Sequence, residues 1–298
     1  MRKNSFFVFF PLYCMTACEV AEIRAAGAKP PTAPAPRPTP QPTPTPPAVD
    51  PSANFVNQVK KIVADSSCKN YEWKDRGRAP QGYVEGMALS FARSLCRENL
   101  QENAGIIMAS KLGSDSSRDA LKWFEAELDA KKLEIDRSGP DTLRTLYTLG
   151  IGLGMRESSG KHCEGYDVTA ENQAANTAES GMFQFSYDSI NSSPELKNLY
   201  AEYRAKPSKC YLGEFSKNVS CKKQSIVGSG AGADFQTFVK SCPAFAAEYA
   251  MITLRVLRRH YGPINRKEAE IQTSCNVMLD QVQNIFESRR NEMCAELR

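Results

Sequence analysis

Apolar residues recur at three- and four-residue spacing in four stretches of this chain, and no stretch alternates as a strand would. The stretches are 54–64 (NFVNQVKKIVA), 83–96 (YVEGMALSFARSLC), 117–133 (SRDALKWFEAELDAKKL) and 243–261 (PAFAAEYAMITLRVLRRHY). A period near 3.6 buries one face of a helix, whereas a period of two buries one face of a strand. The spacing therefore predicts a mainly α protein without internal repeats. Start signals agree with this. Ser193 precedes Pro194, and Pro140 with Asp141 opens another segment, both suited to a first helical turn. Asn265 and Glu268 have the spacing of a capping box. The polar, Gly-rich stretch 207–234 reads as a long loop of the kind that often binds.

The N-terminal quarter is organised differently. Arg2 and Lys3 precede FFVFFPLYCMTA. That apolar run is shorter than the ~20 residues a helix needs to cross a bilayer. It reads as an export signal. It ends in MTAC, which resembles a bacterial lipoprotein cleavage site and implies a lipid on Cys18 and attachment to a membrane. Met15 stands where that pattern prefers Leu, and ordinary cleavage after a later alanine is the alternative. The intact mass of exported protein separates the two. Residues 29–52, KPPTAPAPRPTPQPTPTPPAVDPS, lack the N–H donors and apolar side chains of a core. They read as a semi-rigid spacer. The expected organisation is a signal over 1–18, a Pro-rich linker over 19–52, a helical extension over 53–132 and a catalytic domain over 133–298.

Eight cysteines follow the signal: Cys68, Cys96, Cys163, Cys210, Cys221, Cys242, Cys275 and Cys294. An even set in an exported chain implies a disulfide framework, so the domain is expected to be disulfide-stapled. Cys210 and Cys221 flank a short polar loop and are expected to meet. Ile271, Cys275, Met278, Val282 and Ile285 form one helical stripe, which places Cys275 and Cys294 on or near one long helix. They would then lie almost 30 Å apart, far beyond the ~7 Å between Cα atoms that a disulfide spans. No cofactor or metal is expected: no C-x-x-C zinc pattern is present, and His162 and His260 are the only histidines. The formal net charge of +4 names no partner, and nucleic acid is not expected. Much of that charge sits in RVLRRHYGPINRK, which suits an anionic polymer or an ordinary solvated face.

Chemistry concentrates after Pro140. Leu143, Leu146, Tyr147, Gly150, Leu153 and Gly154 define a helix face, and Glu157 is its next position. A carboxyl that continues a buried face has its pKa raised, so it stays protonated near neutral pH and can act as a general acid. Gly150 and Gly154 on that face suggest close approach by a helix or a ligand.

Glu157-Ser158-Ser159-Gly160 and the later Gly181-Met182-Phe183-Gln184 resemble two motifs of the lysozyme-like superfamily. The branch they resemble holds soluble lytic transglycosylases and goose-type lysozymes. The resemblance covers at most 140–262. It implies a lysozyme-like helical domain with a cleft for peptidoglycan glycan strands. It implies that Glu157 is the catalytic acid and then the base, with Ser158, Gly181, Met182, Gln184 and a tyrosine lining the sugar site. Tyr261 is the better candidate for that tyrosine, and Tyr249 the better candidate for the core. Two departures matter. The segment between the motifs is long, with Cys163 expected to fix it by a disulfide. Ser186 stands where goose-type lysozymes carry an aspartate. A second carboxylate would have to come from Asp167, Glu171, Asp188 or, of most interest, Glu179. The expected activity is a lytic transglycosylase with one catalytic glutamate. The alternatives are a two-carboxylate lysozyme, a wall-binding module without turnover and, more remotely, a cysteine peptidase using a Cys–His pair.

Overall fold

Two helices of 19 residues, each buried on nearly every face, organise the fold. The structure is a computed structural model and describes residues 54–165, 174–221 and 225–297. The expected export signal, Cys18 and the Pro-rich segment fall outside these residues, as do Asp167 and Glu171. In chain order the first helices are α1 (Phe55–Asp65), α2 (Gln81–Asn99), α3 (Asn103–Ala109), α4 (Ala120–Trp123), α5 (Glu125–Ala130) and α6 (Pro140–Ser158). Then come α7 (Pro194–Ala205), α8 (Leu212–Phe215), α9 (Ala231–Ser241), α10 (Pro243–Val256), α11 (Gly262–Asn265), α12 (Thr273–Ser288) and α13 (Arg290–Leu297). The described residues are thus mainly helical. A short antiparallel pair, β1 (Glu72–Trp73) with β2 (Gly77–Arg78), went unseen in the sequence because two-residue strands show no alternation.

Helix α2 packs against α1, α3, α6, α10, α12 and α13, so 53–132 and 133–298 share one core. A helix enclosed on all sides has no polar face to offer water. Accordingly, Gly86, Ala88, Ser90, Ala92 and Ser94 occupy positions where a surface helix would carry long charged side chains. Of the two serines, Ser94 has a side-chain partner and the Ser90 hydroxyl has none. The Ser94 and Tyr147 hydroxyls lie 2.7 Å apart, and Tyr147 donates to the Ser90 carbonyl at 3.2 Å. Gly150 and Gly154 of α6 answer to neighbouring helices rather than to a ligand. A Cβ on Gly150 would meet Met251 of α10, and one on Gly154 would lie 2.4 Å from the Tyr83 hydroxyl of α2.

Starts read from the sequence hold at Pro140 and Pro194, where Ser193 accepts the Glu195 N–H. The capping box does not form. Asn265 ends α11 instead of opening a helix, accepting a bond from Arg258 Nη1 at 2.6 Å, and Glu268 pairs with Arg266 and Arg156. The stretch 207–234 is also more structured than its composition suggests. Phe215 is drawn into the core beneath Gly86, and α8 forms around it.

Four disulfides join Cys68–Cys275, Cys96–Cys294, Cys163–Cys221 and Cys210–Cys242. Cys210 and Cys221 do not pair. A turn through Tyr211, with φ of 52°, leads into α8, and Cys210 faces Cys242 at the start of α10. Cys275 and Cys294 do stay apart, each with its own partner, but the long helix expected there breaks at Arg289 into α12 and α13. The basic cluster before α11 is neither a polymer face nor a solvated one throughout. Arg255 pairs with Asp119 at 3.0 Å, and the Arg258 guanidinium lies 4.1 Å from the Trp123 ring centre.

Candidate active site

Helix α6 delivers Glu157 in its last turn and stops one residue later. The stop is built from backbone. Ser159 has φ of 56° and Gly160 of 71°. Their N–H groups return to the Met155 and Gly154 carbonyls at 2.9 and 3.1 Å. A Cβ on Gly160 would fall 2.7 Å from the Tyr83 ring. Gly160→Ala therefore combines a left-handed backbone penalty of about 1–2 kcal/mol with overpacking of about 1–3 kcal/mol. We expect a loss of about 2–5 kcal/mol in urea denaturation; an unchanged midpoint would refute this account of the helix stop.

The second motif is the loop of a tight hairpin. Ser180 and Phe185 exchange both backbone hydrogen bonds at 3.0 Å, enclosing Gly181-Met182-Phe183-Gln184. Gly181 takes φ of 79° and Gln184 of 51°. The hairpin is pinned to the end of α6. The buried Ser158 hydroxyl donates to the Met182 carbonyl at 2.9 Å, and Gly181 N–H donates to the Glu164 carbonyl at 2.9 Å. Glu164 follows Cys163, so the expected disulfide on this segment exists, with Cys221 as its partner.

Glu157 is half-buried. Its pKa is pushed up from 4.5 to about 8, first by burial and next by the charge of Glu179. Arg266 and Arg76 pull it down, and Glu268 raises it slightly. The negative end of the α6 dipole adds in the raising direction. At neutral pH this carboxyl therefore carries a proton. Glu179 lies with an oxygen 3.9 Å from His260 Nε2. Burial holds His260 below its ordinary value, so the imidazole is neutral and donates from Nε2 to the Gln184 carbonyl at 3.2 Å. The His260 ring also stacks on Phe185, with centres 6.1 Å apart.

The structure brings Glu157, Ser158, Gly181, Met182, Gln184 and Tyr261 to one place, with Glu179 beside them. Ser158, Gly181, Met182 and Tyr261 are buried there. The Gln184 side chain bonds the Gly165 and Gly181 carbonyls. Tyr261 feels the Glu157 charge, which, after burial, helps hold its hydroxyl well above the usual range. Tyr249 lies in the core, its hydroxyl 2.7 Å from that of Ser189. Asp188 is exposed. Sequence reasoning passed over His260 as a neighbour of the hairpin, although it adjoins Tyr261. It also passed over Arg76, which is more than eighty residues from Glu157 in the chain and is recruited by the β1–β2 turn. His162 and the two sulfurs of Cys163 and Cys221 form a further cluster within 4.8 Å. Both sulfurs are in a disulfide, leaving no thiolate there to ligate a metal or to act as a nucleophile.

Comparison with known protein families, characterised proteins and solved structures finds no match to this chain. Its chemistry is therefore read from its own groups. A carboxyl protonated at neutral pH, set at a helix end among other charged side chains, can give a proton to a leaving oxygen and take one back.

Proposed function

We propose that this protein is a lytic transglycosylase of lysozyme-like fold. It would cleave the β-1,4 bond between N-acetylmuramic acid and N-acetylglucosamine in peptidoglycan. The observation that carries the reading is Glu157 itself: a carboxyl kept neutral by burial and by Glu179, next in the chain to Ser158, which is bonded to the Gly-Met-Phe-Gln hairpin. Glu157 protonates the glycosidic oxygen as the bond to the muramic acid C1 breaks. The substrate's N-acetyl group stabilises the positive charge. The Glu157 carboxylate then removes the proton from the muramic acid O6, which closes on C1. Ser158 and the hairpin hold the acid in place. The disulfides suit an oxidising compartment, in keeping with export. The test is to incubate the protein with purified wall sacculi and weigh the released fragments. Anhydro-ended muropeptides support the reading, and no release rejects it.

A hydrolytic lysozyme is the second reading, favoured by one observation. Glu179 exerts the largest charge effect on Glu157, so two carboxylates share the site. Glu179→Gln separates the two. Removing that negative charge lowers the Glu157 pKa, so the alkaline limb of the pH–rate profile should move to lower pH. Cleavage within about tenfold of the parent is expected if the substrate supplies its own nucleophile. Loss of turnover, together with reducing ends in the products and cleavage of deacetylated walls by the parent, would make the enzyme a lysozyme.

A further inference from the structure

A cavity of about 210 Å³ opens beside α2, lined by Arg93, Arg97, Glu102, Glu202, Lys206 and Lys209. Two of these are buried arginines, Arg93 at 2% exposure and Arg97 at 5%. A guanidinium cannot shed its proton inside a protein, so each needs compensating charge. Arg97 has it. Its nitrogens reach Glu102 at 2.6 Å, Glu202 at 2.8 Å and the fully buried Glu248 at 2.8 Å.

Arg93 is served less well. Its Nε stands 3.6 Å from Glu248, and Nη1 donates to the Lys209 carbonyl at 3.0 Å. Nη2 lies 3.7 Å from Glu202 and makes no hydrogen bond. Glu202 is already engaged by Arg97. Below the guanidinium is the Tyr203 ring, 4.5 Å away, which offers a face but no carboxylate. Four cationic side chains and two carboxylates line the cavity, and Glu248 supplies a third carboxylate from behind. One positive charge is left over. Lys209 registers it: burial and then the charges of Arg93 and Lys206 hold its ammonium below the ordinary value.

We propose that this cavity binds a small oxyanion group, a phosphate or a carboxylate, between Arg93 Nη2 and the ammonium groups of Lys206 and Lys209. Its size is below the roughly 300–1,000 Å³ of sites that enclose whole drug-sized ligands, so it takes one charged group of a ligand. The site is separate from Glu157. Tyr83, which packs against the end of α6, lies ten residues from Arg93, about 15 Å along α2.

The test titrates the intact protein calorimetrically with inorganic phosphate and, separately, with N-acetylalanine, at constant ionic strength in chloride. At least one probe should saturate a single site. Which one does so tells whether the natural group is a phosphate or a peptide carboxylate. Lys206→Ala with Lys209→Ala should weaken binding at least tenfold. The Lys209 carbonyl, which Arg93 uses, is untouched by this change. Lys209→Gln alone repeats the comparison with a smaller perturbation should the double variant melt early. Glu157→Gln should bind as the parent does. Failure of both probes to saturate the parent overturns the proposal. So does equal affinity in the lysine variants, or loss of binding in Glu157→Gln, which would move the anion to the cleft.

Discussion

Glu157→Gln should lower the rate of wall cleavage by roughly 10²–10⁴, the usual contribution of a positioned general acid. The substitution keeps shape and removes the titrating proton. Turnover within a few-fold of the parent would end the assignment. In the parent, activity should hold through neutral pH and fall as pH rises through about 8, where the acid loses its proton. The same group makes a signed prediction for stability. Its folded pKa lies above its ordinary value of 4.5, so the native state holds a proton that the unfolded chain gives up. That favours the native state less and less as pH climbs from about 4.5 to about 8, and the penalty is complete above it. Glu157→Gln avoids the penalty. The variant should match the parent near pH 4 and exceed it at pH 9 by on the order of 2 kcal/mol, a figure reduced for solvent screening at a half-buried group. Thermal unfolding at the two pH values measures this. A variant less stable at both would give Glu157 a structural role.

The second large effect concerns the staples. Cys68–Cys275 and Cys96–Cys294 close loops spanning 207 and 198 residues, against 32 for Cys210–Cys242. The chain entropy that a crosslink removes from the unfolded state grows with the logarithm of loop length, reaching about 4.7 kcal/mol for 100 residues. Replacing Cys96 and Cys294 together by Ala should therefore cost about 3–5 kcal/mol, near 10 °C in Tm for a domain of this size. With Cys68–Cys275 in place, Cys96–Cys294 closes a ring of only about 50 residues, so the equivalent change at Cys210 and Cys242 should cost nearly as much. Calorimetry under oxidising conditions decides it: a loss below about 1 kcal/mol at Cys96–Cys294 would remove chain entropy as the cause.

What the sequence made legible was local. Helix periodicity survives in any context, so α1, α2, α10 and the stripe of α12 could be read from spacing. Pro140, Pro194 and Ser193 could be read because their effects act within one turn. Glu157 stood out because it continues an apolar face in its own helix. The rest depends on approach through space. Cys210 had two near neighbours in sequence terms, and only the packing of α8 against α2 turns it towards Cys242. Asn265 and Glu268 carried the right spacing for a cap, but Arg258 and Arg266 claimed their side chains. Arg76 and His260 enter the neighbourhood of Glu157 from opposite ends of the folded chain, so no spacing rule could unite them. The buried triad of Arg93, Arg97 and Glu248 was invisible for the same reason.

Glu296 in α13 accepts the Phe55 N–H at 3.0 Å and the Val56 N–H at 3.2 Å, so the last helix caps the first. Cys96–Cys294 fastens the same end of the chain to α2. This sets an order of events for a polypeptide that is made N-terminus first. Helix α1 has only its local Asn54 cap, and α2 lacks its crosslink, until residues near 296 have been made. This end of the core must therefore remain open while the chain grows, and locking becomes available only when residues near 296 have emerged. Such a molecule cannot finish folding in pieces, and contacts between distant segments of this kind slow folding.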